Sequence, residues 1–359
     1  MEPFYGGSHR LWADGLVHHS THNITISGMP DRHWKWRMHG SALTFAERHK
    51  EDIQQYDLVI VTDLCDVATL KGLLKIDVPV ILYFHENQLA YPWSPTDDDT
   101  RLNRDRHYMW INFISAMAAD HLWFNSEYNL KSFFDALPGF LRAFPDHRNY
   151  DLMNLKERSK VVPLGLDLKP IIDMDKKKQM NEVPLILWNH RWEYDKNPDL
   201  FFNSMFKLYK EQLDFKLVIL GEKSSKYPKI FEEVKTKLNE KIIHMGYCQS
   251  REEYLNYLSQ SDIALVTNDQ DFFGISVVEA IAAGITPLLP AGKVYSEHIS
   301  PEKYPELYYQ SDEELSVKLK ALINNRIIYN LCEEVSEYDW TEMISEYDEA
   351  LWATTNLNL

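Results

Sequence analysis

Apolar, often β-branched runs alternate with longer segments of helical periodicity along most of the chain. In the first half the runs cover residues 56–63, 78–86, 121–126 and 160–165. Continuous apolar runs of this length are typical of strands buried on both faces. The segments between them, such as residues 104–119, are long enough for helices. This alternation predicts an α/β domain with a parallel sheet and right-handed crossovers.

The alternation stops and then resumes in the second half. Residues 166–184 are charged, aperiodic and contain prolines, and are predicted to form a linker, with a long surface loop as the alternative. New strand patterns cover residues 185–190, 215–222, 241–247, 262–267 and 285–290. We therefore predict two Rossmann-like domains, residues 1–165 and 185–339. The remaining residues, 340–359, include an amphipathic helix that can cross back to the first domain.

The start of the chain does not fit the pattern. A glycine-rich turn, "YGGSH", follows Met1 almost at once, although such a turn normally follows a strand. We expect either that the sheet lacks a strand or that the chain begins further upstream.

Composition narrows the class of protein. Hydrophobic residues make up 45 % of the 359 residues, which is enough for sizeable cores. The net charge of −16 argues against indiscriminate nucleic-acid binding, although it leaves room for a local basic patch. Three widely spaced cysteines, no leader pattern and no long apolar span predict a cytoplasmic protein without disulfides, zinc clusters or a membrane partner.

Two cations follow the strand pattern at residues 185–190. Arg191 supplies a planar fork for phosphate oxygens and Lys196 a mobile point charge. Asn197 and Pro198 suit the start of a helix, whose N-terminus favours anions. The pair therefore suits a diphosphate. The alternative is two surface cations paired with Glu193 and Asp195.

A second polar element follows the strand pattern at residues 262–267. In "DFFGISVVEAIAAG", Gly274 permits close backbone approach, and a helix is expected from about Ile275 to Gly284. Side chains tilt toward a helix N-terminus, so Glu279 should point toward the loop that carries Asp271. Two carboxylates suit the hydroxyls of a sugar and a ribose. The alternative for Glu279 is a buried, salt-bridged acid.

These motifs resemble those of a known family. "HRWEYDKNPD", "FFGISVVEAIAAG" and "YGGSH" resemble the retaining glycosyltransferases of family four, which have the GT-B fold. "LYFHENQLAYP", "FNSEYN", "PDHRNYDL" and "HMGY" extend the resemblance to the tRNA-queuosine α-mannosyltransferases across most of the chain. The resemblance implies two Rossmann-like domains facing each other across a cleft. It also implies GDP-mannose as donor substrate and queuosine in a tRNA anticodon as acceptor.

The resemblance implies roles for particular residues. Arg191 and Lys196 would hold the diphosphate and assist catalysis, and Asp271 and Glu279 would hold sugar and ribose. Asp271 is shorter than the glutamate usual at its position. The other expected donor contacts are Gly6, Gly7, Tyr247, Cys248, Phe273, Gly274, Ile275 and Ser276. GT-B enzymes generally need no metal, and we expect neither a metal nor a cofactor; "DDD" at residues 97–99 is read as a solvated loop.

The acceptor is assigned to the first half. "RHWKWRMH" interleaves cations with aromatic residues that can stack on bases. Its alternative is a strand with Trp34 and Trp36 facing the core and Lys35 and Arg37 in solvent. At the C-terminal end of the strand pattern at residues 78–86, His85 is expected to contact the transferred sugar or a phosphate oxygen. Glu86 is either a base or a structural residue. The full acceptor set is Ser8, His9, Arg32, Trp34, Lys35, Trp36, Arg37, Asn87, Gln88, His147 and Arg148.

The predicted function is transfer of mannose from GDP-mannose to a queuosine-containing tRNA with retention of configuration. A glycosyltransferase that acts on a small molecule or a lipid remains one alternative. A sugar-nucleotide epimerase, and a sugar-nucleotide-binding or tRNA-binding protein without catalysis, are the others. The sequence leaves open the identity of the sugar, the tRNA and the oligomeric state.

Overall fold

The computed structural model describes residues 1–94, 97–102, 106–146, 150, 152–174, 181–223 and 227–356. The chain forms two compact units, one of Met1–Leu166 together with Trp340–Leu359 and the other of Asp167–Asp339. The chain leaves the first unit once and returns to it once. The two crossing points are adjacent, because the Trp340 N–H donates to the Leu166 carbonyl at 2.9 Å.

The strands of the first unit are parallel. They are β1 Glu2–Tyr5, β2 Gly28–Pro30, β3 Val59–Thr62, β4 Val80–Phe84, β5 His121–Phe124 and β6 Ser159–Val161. One sheet has the order β3-β4-β5-β6, and β1 pairs with β2. Met1 donates to the Ile60 carbonyl at 2.6 Å and accepts from the Thr62 N–H at 3.3 Å, so β1 runs beside β3. The expectation that no strand precedes the glycine turn was therefore wrong.

Helices cover the strands of the first unit. They are α1 Gly7–His19, α2 Trp34–His49, α3 Val67–Leu74, α4 Asp98–Arg101, α5 Arg106–Ala118, α6 Glu127–Leu141 and α7 Leu152–Glu157. Phe84 and Phe124 stack at 4.6 Å between centroids, with Phe133 of α6 packed on both. The segment "WKWR" begins α2, so the alternative that Trp34 and Trp36 lie on a strand was wrong.

The second unit contains one parallel sheet. Its strands are β7 Leu185–Asn189, β8 Lys216–Leu220, β9 Ile242–Gly246, β10 Ile263–Leu265, β11 Thr286–Pro290 and β12 Tyr308–Tyr309. Their order is β12-β11-β10-β7-β8-β9. The order reverses between β7 and β10, and ligands of open α/β sheets bind at such a reversal, beyond the carboxyl ends of the strands. The segments after these two strands carry Arg191, Lys196 and Asp271.

The helices of the second unit are α8 Lys169–Met174, α9 Pro198–Lys210, α10 Ile230–Lys237, α11 Arg251–Gln260, α12 Ile275–Ala282, α13 Asp312–Asn325 and α14 Cys332–Val335. Residues 166–174 are not a linker, which corrects the prediction for this part of 166–184. Leu168 and Ile171 are buried, and the N–H groups of Leu168 and Lys169 donate to the Asp339 carboxylate. Residues 175–180 lie outside the described residues.

Short 3-10 turns and a last helix complete the described chain. The turns are Ile53–Gln55, Tyr194–Lys196, Asn239–Lys241, Val294–Glu297, Pro305–Leu307 and Ser336–Tyr338. The helix α15, Trp340–Asn356, belongs to the first unit. Its Tyr347 hydroxyl accepts from the Trp12 indole N–H at 2.9 Å and donates to the Pro163 carbonyl at 2.6 Å. None of the helices in the described part of the chain is long and apolar enough to cross a membrane.

Candidate functional site

The first polar positions of the second unit follow β7. The Asn189 side chain donates to the Ser276 carbonyl at 2.8 Å, which joins the end of β7 to the first turn of α12. Arg191 forms an ion pair with Glu193 at 3.0 Å, and its side chain is 55 % exposed. The pairing of Arg191 with Glu193 is the one expected if Arg191 is only a surface cation, which was the alternative interpretation of the sequence. The guanidinium nevertheless stands at the strand edge where a ligand of this sheet would bind.

Lys196 is buried and held in place. Its Nζ lies 2.7 Å from Asp271 Oδ1, 2.8 Å from Asp195 Oδ2 and 2.9 Å from the Gln270 carbonyl oxygen. Burial alone would lower the pKa of Lys196, but the charges of Asp271 and Asp195 outweigh it and raise the pKa. Lys196 is therefore charged and fixed, which corrects the view of it as a mobile or surface cation.

Asp271 is the acid around which this cluster is organised. Its Oδ1 accepts from Lys196, and its Oδ2 accepts from the Asn268 amide at 2.7 Å and the Tyr295 hydroxyl at 2.6 Å. Burial would raise the pKa of Asp271, but Lys196 and His190 more than compensate and lower it to about 2. Asp271 is thus ionised and already bonded to protein donors. Its predicted contact with sugar stays a prediction.

The expected helix after Asp271 is present. α12 begins at Ile275, directly after Gly274, whose φ of 83° falls in the region that favours glycine. Ile275 and Ser276 are partly exposed in the first turn, which carries no acid. Phe273 is buried, and its carbonyl accepts from His298 Nε2 at 2.6 Å. The backbone of this turn is well placed for an anion, whereas the Phe273 ring serves packing.

Glu279 is a buried acid with two strong partners. Its carboxylate accepts from Arg251 at 2.5 Å and from the Tyr254 hydroxyl at 2.8 Å. The alternative of a buried, salt-bridged acid describes these contacts, and binding of ribose hydroxyls by Glu279 stays a prediction. After β9, the Tyr247 side chain is 65 % exposed, while Cys248 is buried.

His190 was missed by the sequence analysis. It directly follows β7 and is 5 % exposed, and its Nδ1 lies 3.1 Å from Ser276 Oγ and 3.4 Å from the Asn268 amide nitrogen. Burial lowers the pKa of His190 to about 4, so the ring is neutral at pH 7. A polar residue that ends an apolar strand run at the ligand-binding edge was the signal that could have found it.

In the first unit, polar residues gather after β1, β3 and β4. Gly6 caps α1, and a Cβ at this position would lie 1.9 Å from Asp31 Oδ2, so the turn needs glycine here. Gly7 has a φ of 50°. His9, two residues further, is buried against His85, with ring centroids 4.1 Å apart. The structure therefore brings together two of the positions that the sequence singled out, His9 and His85.

The loop after β4 holds four of the predicted residues. The His85 N–H donates to Asp63 Oδ1 at 2.8 Å, and the Gln88 amide donates to Glu86 at 2.8 Å. Asn87 is fully buried, and its side chain is engaged by Asn129 and Ser132 at 2.7 and 3.0 Å and by the Ala90 N–H at 2.9 Å. Asn87 holds the loop in this structure, which corrects its assignment as an acceptor contact.

The basic and aromatic segment at the start of α2 is only partly open. Lys35 bonds Asp97 at 2.7 Å and Asp99 at 2.5 Å, and its Nζ lies 5.5 to 5.8 Å from the ring centres of Trp34, Trp93 and Tyr108. The acids at residues 97–99 are therefore not simply solvated, and Lys35 is not available as a free phosphate contact.

Other members of the predicted acceptor surface remain accessible. Arg37 donates to the Pro30 carbonyl at 3.2 Å, while Arg32, Ser8 and the Trp36 ring are exposed. His147 and Arg148, the last predicted acceptor contacts, lie outside the described residues.

Two groups of potential metal ligands have ligand atoms within 4.8 Å of one another in the described part of the chain: Glu2, His9 and His85, and His244, Cys248 and Glu253. The rings of His9 and His85 pack against each other with a tilt of 38°, and both carboxylate oxygens of Glu2 already bond to the protein. Glu253 accepts the Gln249 N–H at 2.7 Å as part of a capping box, which accounts for its position. We assign neither group as a metal site.

Comparison with known proteins agrees with the geometry. A family model described as "tRNA-queuosine alpha-mannosyltransferase N-terminal" matches residues 1–166, and one described as "Glycosyl transferases group 1" matches residues 171–339. A tRNA-queuosine alpha-mannosyltransferase from Drosophila melanogaster is 34 % identical over 345 residues, which cover 92 % of this chain and 86 % of the relative.

Solved structures share the fold at low sequence identity. Sucrose-phosphate synthase from Thermosynechococcus elongatus matches with a TM-score of 0.66 at 15 % identity, over 97 % of this chain and 93 % of that one. Anabaena HepE in complex with UDP matches with a TM-score of 0.59 at 12 % identity, over 95 % and 89 %. The chain is thus a glycosyltransferase with the GT-B fold, as the sequence predicted. Within that class it belongs to the family of the tRNA-queuosine α-mannosyltransferases.

Proposed function

We propose that this protein transfers mannose from GDP-mannose to queuosine in a tRNA anticodon, with retention of the α configuration. The observation that carries the proposal is the 34 % identity to a tRNA-queuosine alpha-mannosyltransferase along 92 % of the chain. The match of residues 1–166 to the N-terminal model of the same family supports it, because the acceptor is assigned to this part of the chain.

The proposal assigns the donor to the second unit. Lys196 and Arg191 stabilise the negative charge that develops on the leaving diphosphate, together with the backbone N–H groups at the start of α12. Fixed donors of this kind are effective because they need no rearrangement as the bond breaks. Lys196 fits this role because Asp271 and Asp195 hold it charged and in place. No residue of the proposal acts as a covalent nucleophile, and no metal ion is required.

The proposal assigns the acceptor to the first unit. Trp36 and Arg32 are exposed at the start of α2, where an aromatic face and a cation can meet a base and a phosphate. His85 donates to or accepts from a hydroxyl of the transferred sugar, and Glu86 orients the attacking hydroxyl of the acceptor. Ser8 and His9 line the turn beside them.

The test is transfer of label from GDP-[¹⁴C]mannose to tRNA. Two tRNA pools are compared, one from cells that make queuosine and one from cells that cannot, followed by nuclease digestion and chromatography of the nucleosides. Label on the queuosine nucleoside from the first pool alone supports the proposal. Label on small molecules or lipids with neither tRNA labelled contradicts the acceptor, and label from UDP-glucose in preference to GDP-mannose contradicts the donor.

A further inference from the structure

A buried acid at the start of the chain carries a second inference. Glu2 is 2 % exposed and both of its carboxylate oxygens are used. Oε1 accepts the Phe4 N–H at 2.8 Å, and Oε2 lies 3.1 Å from His9 Nδ1. Glu2 therefore joins β1 to the first turn of α1 across the glycine turn. The predicted catalytic and binding sets did not include it.

Glu2 determines the charge of His9. Burial alone would lower the pKa of His9, but the charge of Glu2 and its hydrogen bond outweigh burial and raise the pKa to about 9. Asp63 and Glu86 act in the same direction from the ends of β3 and β4. The same contact lowers the pKa of Glu2 despite its burial. At pH 7 the pair is an imidazolium and a carboxylate that neutralise each other inside the protein.

His9 in turn determines the state of His85. The two rings pack with centroids 4.1 Å apart, and two imidazoliums at this distance would repel each other strongly in a medium of low dielectric constant. Burial and the charge of His9 both lower the pKa of His85, far below its ordinary value. Trp12 and Tyr83 enclose the other sides, with centroids 4.8 and 4.9 Å from that of His85. At neutral pH, His9 is therefore the ring that carries the extra proton and the positive charge, and His85 is neutral.

We propose that Glu2 is a positioning residue for sugar transfer: by holding His9 charged and in place, it fixes the neighbouring His85 ring in the orientation that a hydroxyl of the sugar requires. The Nε2 atom of His85 is buried and has no hydrogen-bond partner among the described residues, so a neutral ring has a nitrogen left for a ligand. The role of His85 in this inference rests on the proposed function. The ion pair and its effect on the two rings do not.

The first arm of the test needs no substrate. Side-chain ¹H–¹⁵N spectra of histidine-labelled wild type at pH 7.5 should show His9 as imidazolium and His85 as a neutral tautomer, with assignments from His9→Gln and His85→Gln. In Glu2→Gln, whose amide is isosteric but uncharged, His9 should become neutral at the same pH. A neutral His9 or a charged His85 in the wild type overturns the inference, even if Glu2→Gln fails to fold.

The second arm measures turnover between pH 6 and 8. We expect Glu2→Gln to lower kcat at pH 8 by about tenfold or more, because a neutral His9 no longer holds the His85 ring in place and a small misplacement of groups at the site is costly. The KM for GDP-mannose should change little. Part of the lost rate should return as the pH is lowered, because protonation of His9 restores the charge on its ring. The matched control is Glu47→Gln, an acid on α2 that is 77 % exposed and should leave kcat unchanged.

A purely structural role is distinguishable from this mechanism. A pH-independent loss of kcat in Glu2→Gln, or no loss, contradicts the positioning role. A wild type with the expected spectra but no mannosyl transfer would refute the proposed function and leave the ion pair standing.

Discussion

At the scale of single residues, the chemistry of the second unit depends on how Lys196 is held. Three oxygen atoms lie within 2.9 Å of its ammonium group, from Asp195, Gln270 and Asp271. A lysine on a free side chain would have to give up conformational entropy each time it met a ligand. In this protein the Lys196 side chain has already lost that conformational entropy on folding, so its charge is preorganised for a ligand.

Lys196→Ala tests this arrangement. We expect turnover to fall by about a hundredfold or more, because removal of one preorganised donor typically costs that much. The melting temperature should also fall, since Asp195 and Asp271 lose their counter-charge in a buried position. Lys210→Ala, on the exposed face of α9, is the control and should match wild type in both assays. Steady-state turnover with calorimetry of both variants gives the answer; full activity of Lys196→Ala would refute the role of this lysine.

At the scale of elements, α15 packs on α1 and on the segment that follows β6. The Trp340 side chain is 1 % exposed and lies against two glycines. A Cβ at Gly15 would be 2.1 Å from Trp340 Nε1, and one at Gly165 would be 2.3 Å from Trp340 Cε3. The close approach of α15 to the first unit therefore requires glycine at both positions.

Gly15→Ala and Gly72→Ala should have opposite effects on stability. Both glycines lie inside helices, α1 and α3, where alanine is favoured by about 1 kcal/mol. A Cβ at Gly72 meets nothing within 4 Å, so this variant should be stabilised by up to about that amount. At Gly15 the clash with Trp340 should reverse the sign and destabilise by about 1–3 kcal/mol.

Denaturant unfolding of both variants measures the two changes. Phe at position 340 leaves more room beside Gly15 than Trp340, so the double variant Gly15→Ala with Trp340→Phe should recover part of the loss. A Gly15→Ala variant as stable as Gly72→Ala would show that α15 does not need this close packing.

At the scale of the whole molecule, buried histidines set part of the pH dependence of stability. Burial lowers the pKa of His190 and of His298 to about 4. Burial and the charge of His9 lower the pKa of His85 well below its ordinary value. In the unfolded chain these rings take up protons near pH 6.5. The stability contributed by the neutral rings is therefore present above pH 6.5 and is lost as the pH falls toward 4.

Removal of one such ring should flatten this dependence. We expect the melting temperature of His298→Asn to fall less steeply than that of wild type between pH 7 and 5, whatever its absolute value. His18→Gln is the control, because that imidazole is exposed and its variant should follow the wild-type slope. Circular dichroism melts at pH 7, 6 and 5 measure the slopes, and parallel curves for His298→Asn and wild type would contradict the explanation.

The sequence by itself determined the elements that depend on local pattern. Eight of the described strands lie within apolar runs that were predicted, and β6 overlaps a ninth run. Most of these strands are buried on both faces and must therefore be apolar along their length. The cap of α9 by Asn197 followed from short-range side-chain chemistry. Motif resemblance found the family and positions such as Lys196, Asp271, Glu279 and His85.

Only the tertiary structure decided which groups face one another. Tyr295 completes the bonding of Asp271, and Arg251 and Tyr254 that of Glu279, from segments whose spacing to the acid gives no local signal. The strands β1, β2 and β12 were missed because their sequences, "EPFY", "GMP" and "YY", contain no apolar run of strand length. The charge of a buried group likewise depends on all of its neighbours in space, which is why the ion pair of Glu2 with His9 could not be predicted from the sequence.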